Sequence, residues 1–248
     1  MFEMSNAKEE QNRTLCILLC NASLYLLKIY ESLLRYTAYK YGYRTDFIIY
    51  ENGKEAVFCK DDWYQELDIL FIGWEGCQIK GIEIARNFRK DQCLAQIFFL
   101  GRHTSEIIES FEVNPFYFFI EGAVTHKKFR HIMNKCFQEI IERKRNSLRY
   151  TNYGKVKRVL FEVIVYLKVE HRQICILCRD KAIILFYESL KNVEEEIDDK
   201  MFMKVHRGYV VNLNYVDYLD KNDLYLTSGD VIPIARKYKQ TLIERMMK

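Results

Sequence analysis

"LDILFIGWEG", Leu67–Gly76, decides how the first half of the chain reads. It is a short continuous apolar run with an acidic start and a sharp polar stop. A run of that length without apolar–polar alternation suits a strand buried on both faces of a parallel sheet. Four further runs share the form: "LCILLC" (15–20), "DFIIY" (46–50), "QIFFL" (96–100) and "FYFFI" (116–120). Helical patterns separate them. Leu24, Leu27, Tyr30 and Leu34 fall on one face of the first helix, and Phe129, Ile132, Met133, Cys136, Phe137, Ile140 and Ile141 on one face of the last. Thr125 stands where it caps that last helix. The alternation predicts a doubly wound α/β domain over residues 13–142.

Composition narrows the function classes. Of 248 residues, 49% are hydrophobic and 15% aromatic, enough to bury real cores and to exclude a disordered chain. No apolar run approaches the roughly 20 residues of a membrane helix. Met1–Arg13 is polar and lacks the apolar centre of a secretory signal. The cysteines, Cys16, Cys20, Cys59, Cys77, Cys93, Cys136, Cys175 and Cys178, are scattered through apolar segments, as reduced thiols of a cytoplasmic protein would be. Only "CILC" (175–178) has metal-like spacing, and in a strand an offset of three puts two side chains on opposite faces. The expectation is structural thiols, no metal, no cofactor and no membrane partner.

Charge is unevenly spread. Residues 1–141 carry 17 Lys and Arg against 19 Asp and Glu, a net of −2; residues 142–248 carry 21 against 15, a net of +6. A basic C-terminal half points to a polyanionic partner. The periodicity breaks at "ERKRNSLRYTNYGK" (142–155), which reads as a helix end and a linker over 143–152. Beyond it the pattern turns to short β-branched and aromatic strands over 153–248, with one acidic helix near 189–198, turns near 220–223 and 227–230, and a basic helix from "RKYKQTLIERMMK".

At the carboxyl ends of the predicted parallel strands stand Asn21 and Ala22, Gly73, Gly101 and Glu121. The first half resembles response-regulator receiver domains in strand order and in "DILFIGWEGCQIKGIEIARNFR". That resemblance implies an acidic pair after the first strand to hold Mg²⁺, a nucleophilic Asp at 73, a hydroxyl at 101 and a Lys at 121. None is present. Asn21 and Ala22 lack carboxylates, Gly73 lacks a side chain, Gly101 lacks a hydroxyl, and Glu121 sets an anion where phosphate would arrive. The expected result is a pseudo-receiver without phosphotransfer. Glu75 is the nearest alternative acceptor, but the metal and lysine partners it would need are gone. The two glycines could open a small pocket for another ligand, and the preferred reading is a filled, inert core edge.

The second half resembles LytTR DNA-binding domains. "YESLKNVEEEID", "FMKVHRGYVVN" and "VIPIARKYK" follow one another with that family's order and spacing. The whole chain resembles the LytR/AgrA class of transcription regulators. The resemblance implies a β domain whose loops enter the major groove of double-stranded DNA, with His171 and Arg172 in one loop, His206 and Arg207 in a second, and Arg236, Tyr238 and Lys239 in a third. Arg forks onto the two acceptors of guanine, and Lys and Tyr suit phosphate. Gly208 stands where the family often has Ser. Asn212 is expected to satisfy turn backbone. The chain is therefore expected to be a non-enzymatic regulator that binds tandem DNA sites as a homodimer. Its receiver-like half would serve dimerisation, near Arg102, His103, Lys127 and Lys128, or bind a protein partner. Two rival readings are an interaction module with weak DNA binding and a phosphoacceptor regulator whose site lies elsewhere.

Overall fold

The structure, a computed structural model, describes residues 13–21, 23–58, 66–75, 78–91, 93–198 and 200–247. It divides into two compact units, Met1–Glu142 and Arg143–Lys248. Ala22, Cys59 and Cys77 lie outside the described residues.

The first unit runs β1 (Thr14–Cys20), α1 (Leu24–Lys40), β2 (Arg44–Tyr50), α2 (Gly53–Phe58), β3 (Ile69–Gly73), α3 (Gly81–Lys90), β4 (Gln96–Gly101), α4 (Thr104–Ser110), β5 (Tyr117–Ile120) and α5 (His126–Arg145). All strand pairs are parallel, in the order β2-β1-β3-β4-β5. This is the doubly wound order of flavodoxin-like folds, which open a crevice at the carboxyl ends of β1 and β3. The continuous apolar runs make sense here because each sheet face carries its own core. Leu15, Ile17, Leu19, Phe71, Phe98 and Phe119 meet α1 and α5 on one side. Leu18, Leu70, Ile72, Ile97 and Phe99 meet α3 on the other. Phe71, Phe98 and Phe119 stack across β3, β4 and β5 at 5.9 Å centroid spacing. Each such pair contributes about 0.5–1.5 kcal/mol beyond area burial.

The seven apolar residues predicted along α5 are all buried, and Thr125 Oγ1 accepts from Lys128 N. Two expectations fail. Leu24 is 46% exposed, and the packed face of α1 begins instead at Leu26 and Leu27. β2 is half exposed, because it is the edge strand of the sheet.

The second unit runs β6 (Ser147–Asn152), β7 (Lys155–Leu160), β8 (Ile164–Glu170), β9 (Gln173–Cys178), β10 (Ile183–Phe186), α6 (Leu190–Glu194), β11 (Phe202–His206), β12 (Tyr209–Asn212), β13 (Val216–Asp220), β14 (Asp223–Leu226), β15 (Val231–Pro233) and α7 (Arg236–Met246). Its strand pairs are antiparallel. The main sheet has the order β10-β9-β8-β12-β11, with β13-β14-β15 forming a second sheet and β6-β7 a hairpin. Both faces of the main sheet are apolar. Ile164, Leu167, Ile174, Ile176 and Val210 enter one core with Leu148 and Val159. Tyr166, Val205 and Val211 enter the other with Leu224, Ile232 and Leu242.

The linker expected over 143–152 is a correction. Residues to Arg145 belong to α5, and Ser147–Asn152 is a strand whose Leu148 is 1% exposed. The thiols of Cys175 and Cys178 are buried on β9, and burial pushes both up from the ordinary thiol range. No cluster of metal ligands occurs among the described residues.

Asn212 ties this unit together. It is fully buried, its Nδ2 donates to Phe161 O at 3.1 Å and Ile164 O at 2.9 Å, and its Oδ1 accepts from Asn214 N. It satisfies turn backbone as the sequence suggested. Asn212→Ala removes the hydrogen bond to Ile164 O, one of the two to Phe161 O, which keeps the one from Ile164 N, and the one from the N–H of exposed Asn214. It should lower stability by about 1–3 kcal/mol, the cost of a buried unsatisfied group. Urea denaturation of the full chain followed by far-ultraviolet circular dichroism checks this through the midpoint of the second unit's transition.

Candidate nucleic-acid interface

The pairing of β8 with β12 brings two hairpin turns together. Tyr209 stands opposite Lys168, and Val169 N donates to Gly208 O at 3.0 Å. The β8–β9 turn (His171–Arg172) and the β11–β12 turn (Arg207–Gly208) therefore leave the same end of the sheet, on hairpins that adjoin at strands about 4.8 Å apart. A second backbone bond adds a third element. Ala235 N donates to Val205 O at 2.9 Å, which docks the start of α7 beside the end of β11.

The sequence expectation for Arg236, Tyr238 and Lys239 needs correction. They lie in the first turn of α7 and not in a loop. Tyr238 is half-buried against the second core, with Lys237 Nζ 4.6 Å from its ring centroid. Its ring thus has a packing role.

The turns have distinct local physics. Glu170 pairs with Gln173, so His171 and Arg172 are the two residues of a tight turn. Both have positive φ, 47° and 66°, as a type I′ hairpin demands. That conformation disfavours non-glycine residues by roughly 1–2 kcal/mol each. His206 Nδ1 accepts from Gly208 N at 3.3 Å. This fixes the tautomer with its proton on Nε2, leaving that edge a donor. A Cβ at Gly208 would meet only His206 Nδ1, at 4.0 Å, so there is room for the serine that the resemblance suggests.

The cations fall into two groups. Arg172, Arg207 and Arg236 are exposed and make no hydrogen bond or ion pair with any described residue. Their guanidinium forks are available. Lys168 is instead paired with Glu170 at 2.9 Å, and that hydrogen bond holds the Glu170 carboxyl below its ordinary range. Lys204 is paired with Glu194. Lys239 Nζ donates to Asn222 Oδ1 at 3.3 Å. Sequence reading missed Lys221 and Lys237. The "DKND" turn at 220–223 was legible as a turn, but nothing local announces that it folds back beside α7.

In the first unit the carboxyl ends of the strands are filled. Asn21 Oδ1 accepts from Ser23 N at 2.8 Å, and its Nδ2 lies where a side chain of residue 73 would begin: a Cβ on Gly73 would stand 2.3 Å from it. A Cβ on Gly101 would stand 2.3 Å from Glu106 Oε2 and 2.5 Å from Phe118 Cζ. Glu106 is 9% exposed and accepts from the backbone of Arg102 and His103 at 2.9 and 3.1 Å. The two glycines therefore do not open a ligand pocket; what remains by Gly73 and Leu100 is a void of about 10 Å³. Tyr30 borders that void, and burial, with the Glu121 charge second, pushes its phenol up to about 12. Arg102 Nε bonds Glu121 Oε2 at 3.0 Å and its Nη1 lies 3.7 Å from Glu75 Oε2.

Residues 154–247 match the family described as "LytTr DNA-binding domain". The chain is similar to the "Sensory transduction protein LytT" of Bacillus subtilis (strain 168), 24% identical over 195 residues that make up 72% of this chain and 79% of the relative. A solved receiver domain from Clostridium thermocellum aligns with 50% of this chain and 95% of its own, at 15% identity and TM-score 0.44. The LytTr DNA-binding domain of a Bacillus cereus response regulator aligns with 41% of this chain and 96% of its own, at 18% identity and TM-score 0.36. The free arginines thus stand at one end of a unit that matches the LytTr DNA-binding domain, in a chain similar over 72% of its length to a sensory transduction protein LytT.

Proposed function

We propose that this DNA-binding transcription regulator reads duplex DNA with the turn end of its second unit, and does so without phosphorylation. The observation that carries the reading is the convergence of Arg172, Arg207 and Arg236, three free guanidinium groups on three segments joined by backbone hydrogen bonds. A free fork presents two parallel donors to guanine O6 and N7. His171 and His206 stand beside these forks as further base or phosphate contacts, and Lys239 as a phosphate contact.

The receiver-type unit supports the second half of the proposal. Its site has no side chain at Gly73, an amide where the nucleophile would stand, the carboxylates of Glu75 and Glu121 on the Arg102 guanidinium, and that of Glu106 on the Arg102 backbone N–H. A phosphoryl group would arrive among anions. The unit then acts by self-association on tandem sites or through a protein partner. Arg102 is engaged within its own unit, so the dimer face proposed from sequence reduces to His103, Lys127 and Lys128. No catalytic role is assigned to any residue.

Selection of duplexes from a random-sequence pool by the full-length chain, followed by titration of single-base variants, tests the reading. Arg207→Ala and Arg236→Ala should each relax one base position by roughly 1–3 kcal/mol, whereas Lys239→Ala should weaken all duplexes alike. Uniform losses in the arginine variants would make them phosphate clamps and not readers.

Phosphotransfer is tested with acetyl phosphate and Mg²⁺. The wild-type chain should gain no acyl-phosphate mass adduct. Gly73→Asp should gain none either, because its carboxylate would meet the Asn21 amide and no metal site.

The strained turn yields a third outcome. Replacing His171 and Arg172 by Asn and Gly, the residues a type I′ turn prefers, should raise stability by about 1 kcal/mol. The same variant should bind the selected duplex at least several-fold more weakly. Thermal denaturation and binding titration together check both signs.

A further inference from the structure

The reading above uses three elements, but a third backbone hydrogen bond brings a fourth to the same end. Ile234 N donates to Asn222 O at 2.7 Å, one residue before the Ala235–Val205 bond that docks α7. Asn222 belongs to the two-residue turn between β13 and β14, where Asp220 stands opposite Asp223. Its partner in the turn is Lys221, exposed, with φ 48° and no hydrogen bond or ion pair to any described residue. The side chain of Asn222 also accepts from Lys239 Nζ at 3.3 Å. One turn therefore presents a free ammonium and holds a second.

We infer that the Lys221–Asn222 turn is a fourth DNA-contacting element, in which Lys221 meets a backbone phosphate and Asn222 is the positioning residue for Lys239. This rests on the DNA reading proposed above. The chemistry favours phosphate over base. Lys221 is a single point charge without a fork. Asn222 Oδ1 already accepts from Lys239 Nζ, while the bond from Ile234 N falls on its backbone carbonyl, so the side chain lacks the free acceptor that a bidentate contact to adenine needs. A competing role for Lys221 is internal: Asp220 and Asp223 are directly opposed like charges, which a lysine between them would offset. The two roles differ in what they change.

The experiment uses the full-length chain, a duplex it selects from a random pool, and a scrambled duplex, each titrated at several salt concentrations. Lys221→Ala should weaken both duplexes by the same factor. It should also make the slope of log affinity against log salt shallower by roughly 0.9, the value of one phosphate contact. Lys221→Arg should restore the slope. Asn222→Ala should weaken binding in the wild-type chain and have no effect in a Lys239→Ala background, since it acts through that ammonium. An unchanged slope in Lys221→Ala, with Arg207→Ala still weakening the selected duplex, would overturn the fourth element and leave the DNA reading standing. An unchanged slope with a lowered urea midpoint would assign Lys221 to charge compensation and likewise overturn it. If Arg207→Ala also leaves binding unchanged, the DNA reading itself fails. Additive losses for Asn222→Ala and Lys239→Ala would remove the positioning role.

Discussion

The buried amide of Asn212 is the constraint on which the basic end depends. Both faces of the main sheet are apolar, with Val210 in one core and Val211 in the other. Hydrophobic burial alone would tolerate a one-residue slip of β12 past β8, because such a slip exchanges one valine for another. The slip would strand Asn212, whose Nδ2 reaches Phe161 O and Ile164 O at the far end of β8. A buried polar group without its partners is penalised far more than a misplaced methyl. The register that satisfies Asn212 is also the one that sets Tyr209 opposite Lys168 and Gly208 beside Val169. The residue that positions the two turns therefore lies at the other end of β12, remote from both of them.

The receiver-type unit illustrates a different constraint, that of volume. Four departures from the receiver pattern could each be read as separate losses. Their geometry makes them pairs. Gly73 accommodates the Asn21 amide, and Gly101 accommodates the Glu106 carboxylate and the Phe118 ring. Glu106 then satisfies two backbone N–H groups at the start of α4. The cation is retained but reversed in position: Arg102 stands after β4, and its anion, Glu121, after β5. Both groups are substantially exposed, so the pair contributes little stability. Its effect is on the local charge, since the Arg102 guanidinium is matched by the Glu121 and Glu75 carboxylates.

The parts of the fold that sequence revealed were those with one-sided or two-sided burial. Five continuous apolar runs gave five parallel strands, and α5 buried the residues its period predicts. The hairpin β6–β7 was lost to a linker because "SLRYTNYGK" shows little apolar alternation; of it, Leu148 and Tyr150 reach a core. Its turn, Tyr153–Gly154, has positive φ at both residues, a signal that "YG" carries only weakly. At the basic end the local motifs were legible, but their assembly was not. Nothing near residue 222 reveals that it bonds residue 234, and nothing near 235 reveals a bond to 205. Those contacts are set by how the second sheet folds onto the first, and so Lys221 went unseen.

Backbone strain alone does not mark the interface. Non-glycine residues with positive φ occur at His171, Arg172 and Lys221, but also at Lys181 in the turn after β9. β9 runs away from the basic end, so Lys181 lies at the opposite end of the sheet. A left-handed lysine is thus tolerated there without any reason in DNA. What separates the basic end is coincidence. Two strained turns meet there, their cations are free while Lys168 and Lys204 nearby are neutralised, and backbone bonds join the segments. A turn kept only for closure would do as well with Asn-Gly, which costs less. His-Arg at 171–172 is explained when the side chains have work outside the fold. Lys181 has the exposed Arg179 two residues away, on a segment tied through Arg179 N to Val163 O. A neighbouring free cation therefore does not by itself set an interface apart, and the joining of three cation-bearing segments at the other end does.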